Sequence, residues 1–120
     1  MRTWYRILLP LALGVALLAG CSSGQQDSEP PSAAPAKGVD EIAAKDLKFS
    51  PAVVEVPAGT TVTWKFDDRG VPHDVKADGW SSGKPRKSGS FSHTFSNPGS
   101  YDYVCTIHPK MTGRVVVTSG

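Results

Sequence analysis

Thr60-Thr-Val-Thr-Trp-Lys-Phe66 is the stretch on which the fold reading turns. Val62, Trp64 and Phe66 fall on one side of an extended chain, and Thr61, Thr63 and Lys65 on the other. A period of two in β-branched and aromatic residues predicts a half-buried strand. The same period extends both ways. Upstream, Val54 and Val56 alternate with Glu55 before the turn Pro57-Ala58-Gly59. Downstream, Phe91, His93 and Phe95 alternate with Ser92 and Thr94, and Asn97-Pro98-Gly99 marks a further turn. Ser100–Val104 and Arg114–Thr118 read as the last strands, and Asp40–Lys45 as a strand leading into Leu47 and Phe49 rather than a turn of helix. Short runs punctuated by Pro and Gly, with no helical period after residue 45, predict an all-β domain of seven or eight strands in two sheets.

The chain has 120 residues, not all of which belong to that domain. Arg2 and Arg6 precede an apolar run from Ile7 to Ala19, too short to span a bilayer and shaped like an export signal over residues 1–20. Leu18-Ala19-Gly20-Cys21 resembles the bacterial lipoprotein box, which implies a diacylglyceryl group on Cys21 and cleavage just before it. Acyl chains at about 0.8 kcal/mol per buried methylene then anchor the chain to the outer face of a membrane without crossing it. Residues 22–38 hold three prolines and no large apolar side chain, so 21–38 reads as a lipidated cysteine and a disordered tether. Residues 39–120 remain as the folded domain, near the lower limit for an independent core. That size excludes two-lobed enzymes. Setting aside Arg2 and Arg6, the 13 Lys and Arg fall to 11, equal to the 11 Asp and Glu. A balanced charge with no basic face argues against nucleic acid as a partner.

One cluster does not read as core. Cys105-Thr-Ile-His108-Pro-Lys-Met111 places three possible metal ligands in seven residues between two strands, and His73 stands upstream in Val71-Pro-His-Asp-Val75. A thiolate, two imidazoles and a thioether make up the donor set of an electron-transfer copper site, since the sulfurs favour Cu(I) and imidazole accepts both oxidation states. Pro109 stiffens the loop. Cys105 is the only cysteine besides Cys21, and an unpaired thiol in an exported chain calls for a role that copper supplies.

These residues, with Phe91-Ser-His-Thr-Phe95, Gly99-Ser-Tyr-Asp-Tyr-Val104 and Thr61-Val-Thr-Trp64, resemble the cupredoxins (small blue copper proteins), and among them the amicyanin and plastocyanin branch. The two-residue gap between His108 and Met111 is similar to the short amicyanin loop. The resemblance covers roughly residues 45–118. It implies a Greek-key β-sandwich with one copper ion near one end, held by His73, Cys105, His108 and axial Met111. It further implies a monomeric electron carrier, not an enzyme, working outside the cytoplasm with redox partners such as a dehydrogenase, cytochrome or oxidase. Asp74 stands where the family commonly has Asn; its carboxylate either ties to Thr106 beside the cysteine or is simply solvated. The family also implies that His108 is the electron port, amid Val71, Pro72, Ile107, Pro109 and Met111.

Lys110 and Lys84-Pro-Arg-Lys87 are candidates for steering an acidic partner, although Asp67, Asp68 and Asp78 balance them as a solvated loop. His93 reads as structural, Trp64 as a core aromatic and Trp80 as a cap on its loop. A copper carrier that hands its metal to an exported enzyme uses the same ligands and is the alternative reading. Three histidines cannot build the extra centres of a copper enzyme, and zinc gains little from a methionine.

Overall fold

The computed structural model describes residues 29–120, all of them strand, turn or irregular backbone. The export signal, Cys21 and the first part of the tether lie outside the described residues. Ten strands follow in chain order: β1 (Ala36–Lys37), β2 (Glu41–Lys45), β3 (Lys48–Ser50), β4 (Val53–Pro57), β5 (Thr60–Asp67), β6 (Lys76–Ala77), β7 (Trp80–Ser81), β8 (Ser88–Phe95), β9 (Gly99–Cys105) and β10 (His108–Thr118). Seven of them run three residues or more; β1, β6 and β7 are two-residue pieces.

They form two sheets, ordered β1-β4-β10-β9-β6-β7 and β3-β2-β5-β8. β5 is the axis of the smaller sheet, parallel to β2 and antiparallel to β8 along its whole length. Its outward hydroxyls pair across to β8, Thr61 with Thr94 at 2.7 Å and Thr63 with Ser92 at 2.8 Å. Its inward residues Val62, Trp64 and Phe66 are buried with Ile42, Ala44, Val54, Val56, Val115 and Val117 from both sheets. Burying each such side chain stabilises the fold by about 1.5–3 kcal/mol. Turns follow residue chemistry: Gly59 takes a φ of 91° between β4 and β5, a region open to glycine.

The sheet begins earlier than the sequence suggests. Ala36 and Lys37 pair in parallel with Val54 and Glu55, and the Gly38 amide donates to the Glu55 carbonyl at 2.9 Å. Two residues without apolar bulk carry no strand signal, but the otherwise open edge of β4 offers them backbone partners.

The larger sheet carries Tyr101, Tyr103 and Cys105 along one face of β9, and Met111, Gly113, Val115 and Val117 along the matching face of β10. Tyr103 lies over Gly113, its register partner, and packs edge-on against Phe49 and Trp64 with ring centroids 4.8 and 5.3 Å away. Trp80 is not a cap on a loop end: on β7 it stacks on His93 at 4.4 Å and 13° and closes the aromatic end of the core. Burial holds the His93 ring below its ordinary pKa.

Candidate metal centre

Three loops converge at the end of the sandwich where β9 stops. Inward alternation along β9 carries Cys105 into the interior, where it is fully buried and outside any disulfide. The chain then reverses. Cys105 and His108 are register partners, yet the next pair is Val104 with Thr112, so Pro109, Lys110 and Met111 are extra residues in β10. This bulge turns His108 back over the sulfur and returns Met111 to the inward face. Met111 is 2% exposed.

His73 arrives from the loop after β5. Its backbone is clamped to Arg86, N–H to carbonyl in both directions, at 3.0 and 2.8 Å. The Arg86 guanidinium donates to the carbonyls of Ser82 and Ser90 and lies 5.9 Å from the centre of the Phe66 ring. Within the run Lys84–Lys87 it therefore braces a loop; Lys84 and Lys87 stay exposed.

The ligating atoms of His73, Cys105 and His108 all lie within 4.8 Å of one another. Cys105 Sγ is 3.9 Å from His73 Nδ1 and 3.5 Å from His108 Nδ1, and the two rings are 5.0 Å apart. His73 is buried and His108 half-buried.

Two carboxylates support this cluster. Asp74 is 3% exposed, and its two oxygens accept from the Thr106 amide, at 2.7 Å, and from the Thr106 hydroxyl. It thus ties the His73 loop to the residue after the cysteine instead of lying in solvent. Asp68, grouped by the sequence with solvated charges, is 2% exposed, and its Oδ2 accepts from His73 Nε2 at 2.8 Å. That bond places the ring proton on Nε2 and turns the Nδ1 lone pair toward Cys105. The His73 bond holds the Asp68 carboxyl below the usual carboxylate range despite its burial. The signal for Asp68 was the β5 alternation itself: Val62, Trp64 and Phe66 point inward, and one further step of two is residue 68.

Burial pushes the Cys105 thiol up, opposed by the backbone N–H groups of Asp74 and Ile107 beside the sulfur. A buried thiol facing two imidazole nitrogens, one fixed by a carboxylate behind it, is a donor set that a soft, redox-active cation satisfies.

The surface above His108 differs in one respect from the expected patch. Leu47, 54% exposed at the β2–β3 turn, joins it, sharing a groove of about 920 Å³ with Ile107, His108, Pro109 and, at its floor, buried Met111. Ile107 is 43% exposed.

Sandwich and donor set together define a small β-domain built to hold one metal ion between two sheets' loops. A family model described as the cupredoxin-like domain matches residues 10–117. Amicyanin-alpha of Methylorubrum extorquens is 36% identical over 112 residues, covering 85% of this chain and 85% of that protein. Amicyanin of Paracoccus denitrificans is 35% identical over 99 residues, 75% of each. Among solved structures, a purple cupredoxin from Nitrosopumilus maritimus superposes with a TM-score of 0.58 at 31% identity, covering 67% of this chain and all of that one. An oxidised amicyanin variant gives a TM-score of 0.60 at 31% identity, covering 68% and 83%. The chain belongs to the cupredoxin family and is of the amicyanin type, an electron carrier whose cofactor is copper.

Proposed function

We propose that this chain is a lipid-anchored carrier of single electrons, working outside the cytoplasm without substrate turnover, with His73, Cys105, His108 and Met111 as its copper ligands. The observation that carries the reading is the convergence of His73 Nδ1, His108 Nδ1 and Cys105 Sγ within 4.8 Å. Bound copper supplies a reversible one-electron change, and the chain's own residues decide how readily that change occurs.

Asp68 fixes the His73 tautomer and ring angle, Asp74 locks the cysteine loop to the histidine loop, and Arg86 braces the His73 backbone. A donor set braced on three sides moves little between oxidation states, which keeps the reorganisation cost of electron transfer low. Burial of His73, Cys105 and Met111 excludes water, while half-exposed His108 is the one ligand a partner can approach. The sequence around Cys21 supports anchoring, and redox proteins that dock on the apolar rim at Leu47 and Ile107 are the partners.

Adding Cu(II) to the purified chain tests this. An intense visible thiolate-to-copper band is expected, absent in Cys105→Ser and altered in His73→Ala and Met111→Leu. Cyclic voltammetry should give a reversible one-electron wave. A colourless copper complex, or ready loss of metal with no wave, would refute the carrier role.

A further inference from the structure

The N-terminal chain and the His108 end meet on the same side of the domain. β1 and β10 both run parallel to β4, and β10 starts at His108, so the residues before β1 extend toward the metal cluster. Glu29 reaches it: its carbonyl accepts from the Thr112 hydroxyl at 3.0 Å, one residue beyond Met111. Pro30 and Pro31 line the same groove as Leu47, Ile107 and His108. Most of the segment read as a free tether is therefore laid along the domain, leaving only residues 22–28 between Cys21 and Glu29. Eight Cα steps of at most about 3.6 Å reach roughly 29 Å in any conformation. The Asn97-Pro98 turn lies at the other end of β9, about 20 Å further away at ~3.3 Å per strand residue. Lys45, Lys48 and Lys110 are exposed at the His108 end with no ion-pair partner among the described residues, a charge that anionic headgroups attract.

We infer that the domain hangs with its His108 end toward the bilayer, and that its partner is an integral protein of the same membrane whose redox centre lies close to the surface. The inference rests on the lipid at Cys21 and the port at His108 proposed above. A carrier tied by its opposite end would present its port to freely diffusing proteins; this one keeps it within the layer that its short leash reaches.

The test uses the full lipidated, copper-loaded chain in vesicles of phosphatidylethanolamine and phosphatidylglycerol carrying an acceptor dye at the headgroups. A donor dye on Lys48→Cys should transfer energy more strongly than one on Asn97→Cys, and a 20-residue Gly/Ser insertion between residues 28 and 29 should remove most of that difference. In native membranes the insertion should slow electron exchange about sixfold, since effective concentration falls as roughly the −3/2 power of linker length. Oxidation by soluble ferricyanide should not change. Equal transfer from the two dyes overturns the orientation, and full exchange by soluble Cys21→Ser overturns the membrane partner. Lack of a diacylglyceryl mass on Cys21 overturns the anchor itself, and this inference with it.

Discussion

Gly113→Ala places one methyl group where there is no room, and its cost follows from the geometry. A Cβ at Gly113 meets Tyr103 Cζ at 2.1 Å, the hydroxyl oxygen at 2.2 Å and Cε2 at 2.5 Å. Carbon atoms in contact sit about 3.5–4.0 Å apart, so the ring must retreat by roughly 1.4 Å or more. Phe49 and Trp64 block that retreat, and the antiparallel register fixes Gly113 opposite Tyr103. Either the core is overpacked, which costs about 1–3 kcal/mol and occasionally more, or the ring is expelled, at about the 3–5 kcal/mol of a large aromatic truncation. The expected loss is therefore about 3 kcal/mol, or roughly 12–24 °C in Tm for a domain of this size.

Urea unfolding of copper-loaded chain, followed by tryptophan fluorescence, measures it, and a double-mutant cycle isolates the cause. With the ring removed in Tyr103→Leu, adding Gly113→Ala should cost less than about 1 kcal/mol, because alanine is then no worse in a strand than glycine. Additive costs, or a Gly113→Ala chain within about 1 kcal/mol of the parent, would refute the close approach of ring and backbone as the reason for glycine here.

Asp68→Ala leaves a buried ring N–H without its acceptor and should weaken copper binding about 10–100-fold, read by chelator competition; unchanged affinity would remove Asp68 from the site. Asp74→Asn keeps an acceptor for the Thr106 amide while discarding the charge, so the reduction potential should rise by tens of millivolts, at about 59 mV per tenfold change in relative affinity for the two oxidation states. A potential that does not move would leave Asp74 only its role as a tie. For His93, burial lowers the folded pKa below the ordinary 6.5. The unfolded chain then takes up its proton first, so this contribution to stability is full above about pH 6.5 and is lost as pH falls below it. His93→Gln should flatten the decline between pH 7 and 5 in urea unfolding, and an unchanged slope would show that the ring titrates alike in both states.

Parity explains what the sequence revealed and where it stopped. Val62, Trp64 and Phe66, or Tyr103 and Cys105, sit at every second position, and a pleated strand turns that spacing into a buried face without any knowledge of partners. The candidate site, whose His73, Cys105 and His108 the fold brings together, was legible for a different reason: Cys, His and Met lie close together in the sequence, and that combination is chemically specific wherever the loop falls. The parts that escaped depend on partners that no local pattern names. Asp68 keeps inward parity one step past β5, but a carboxylate at an inward position reads as a solvated charge until His73 is placed 2.8 Å away. Asp46 and Leu47 make the β2–β3 turn with φ of 53° and 57°, a conformation that favours Asn-Gly, and a leucine there carries no turn signal. The Leu47 amide instead faces Asp68 Oδ2 at 3.5 Å, so the turn that exposes Leu47 beside His108 and the carboxylate that orients His73 belong to one arrangement. The Leu47 turn and the His73 ring are coupled through that carboxylate, and a substitution at Asp68 should disturb both the ring's orientation and the exposed leucine beside His108.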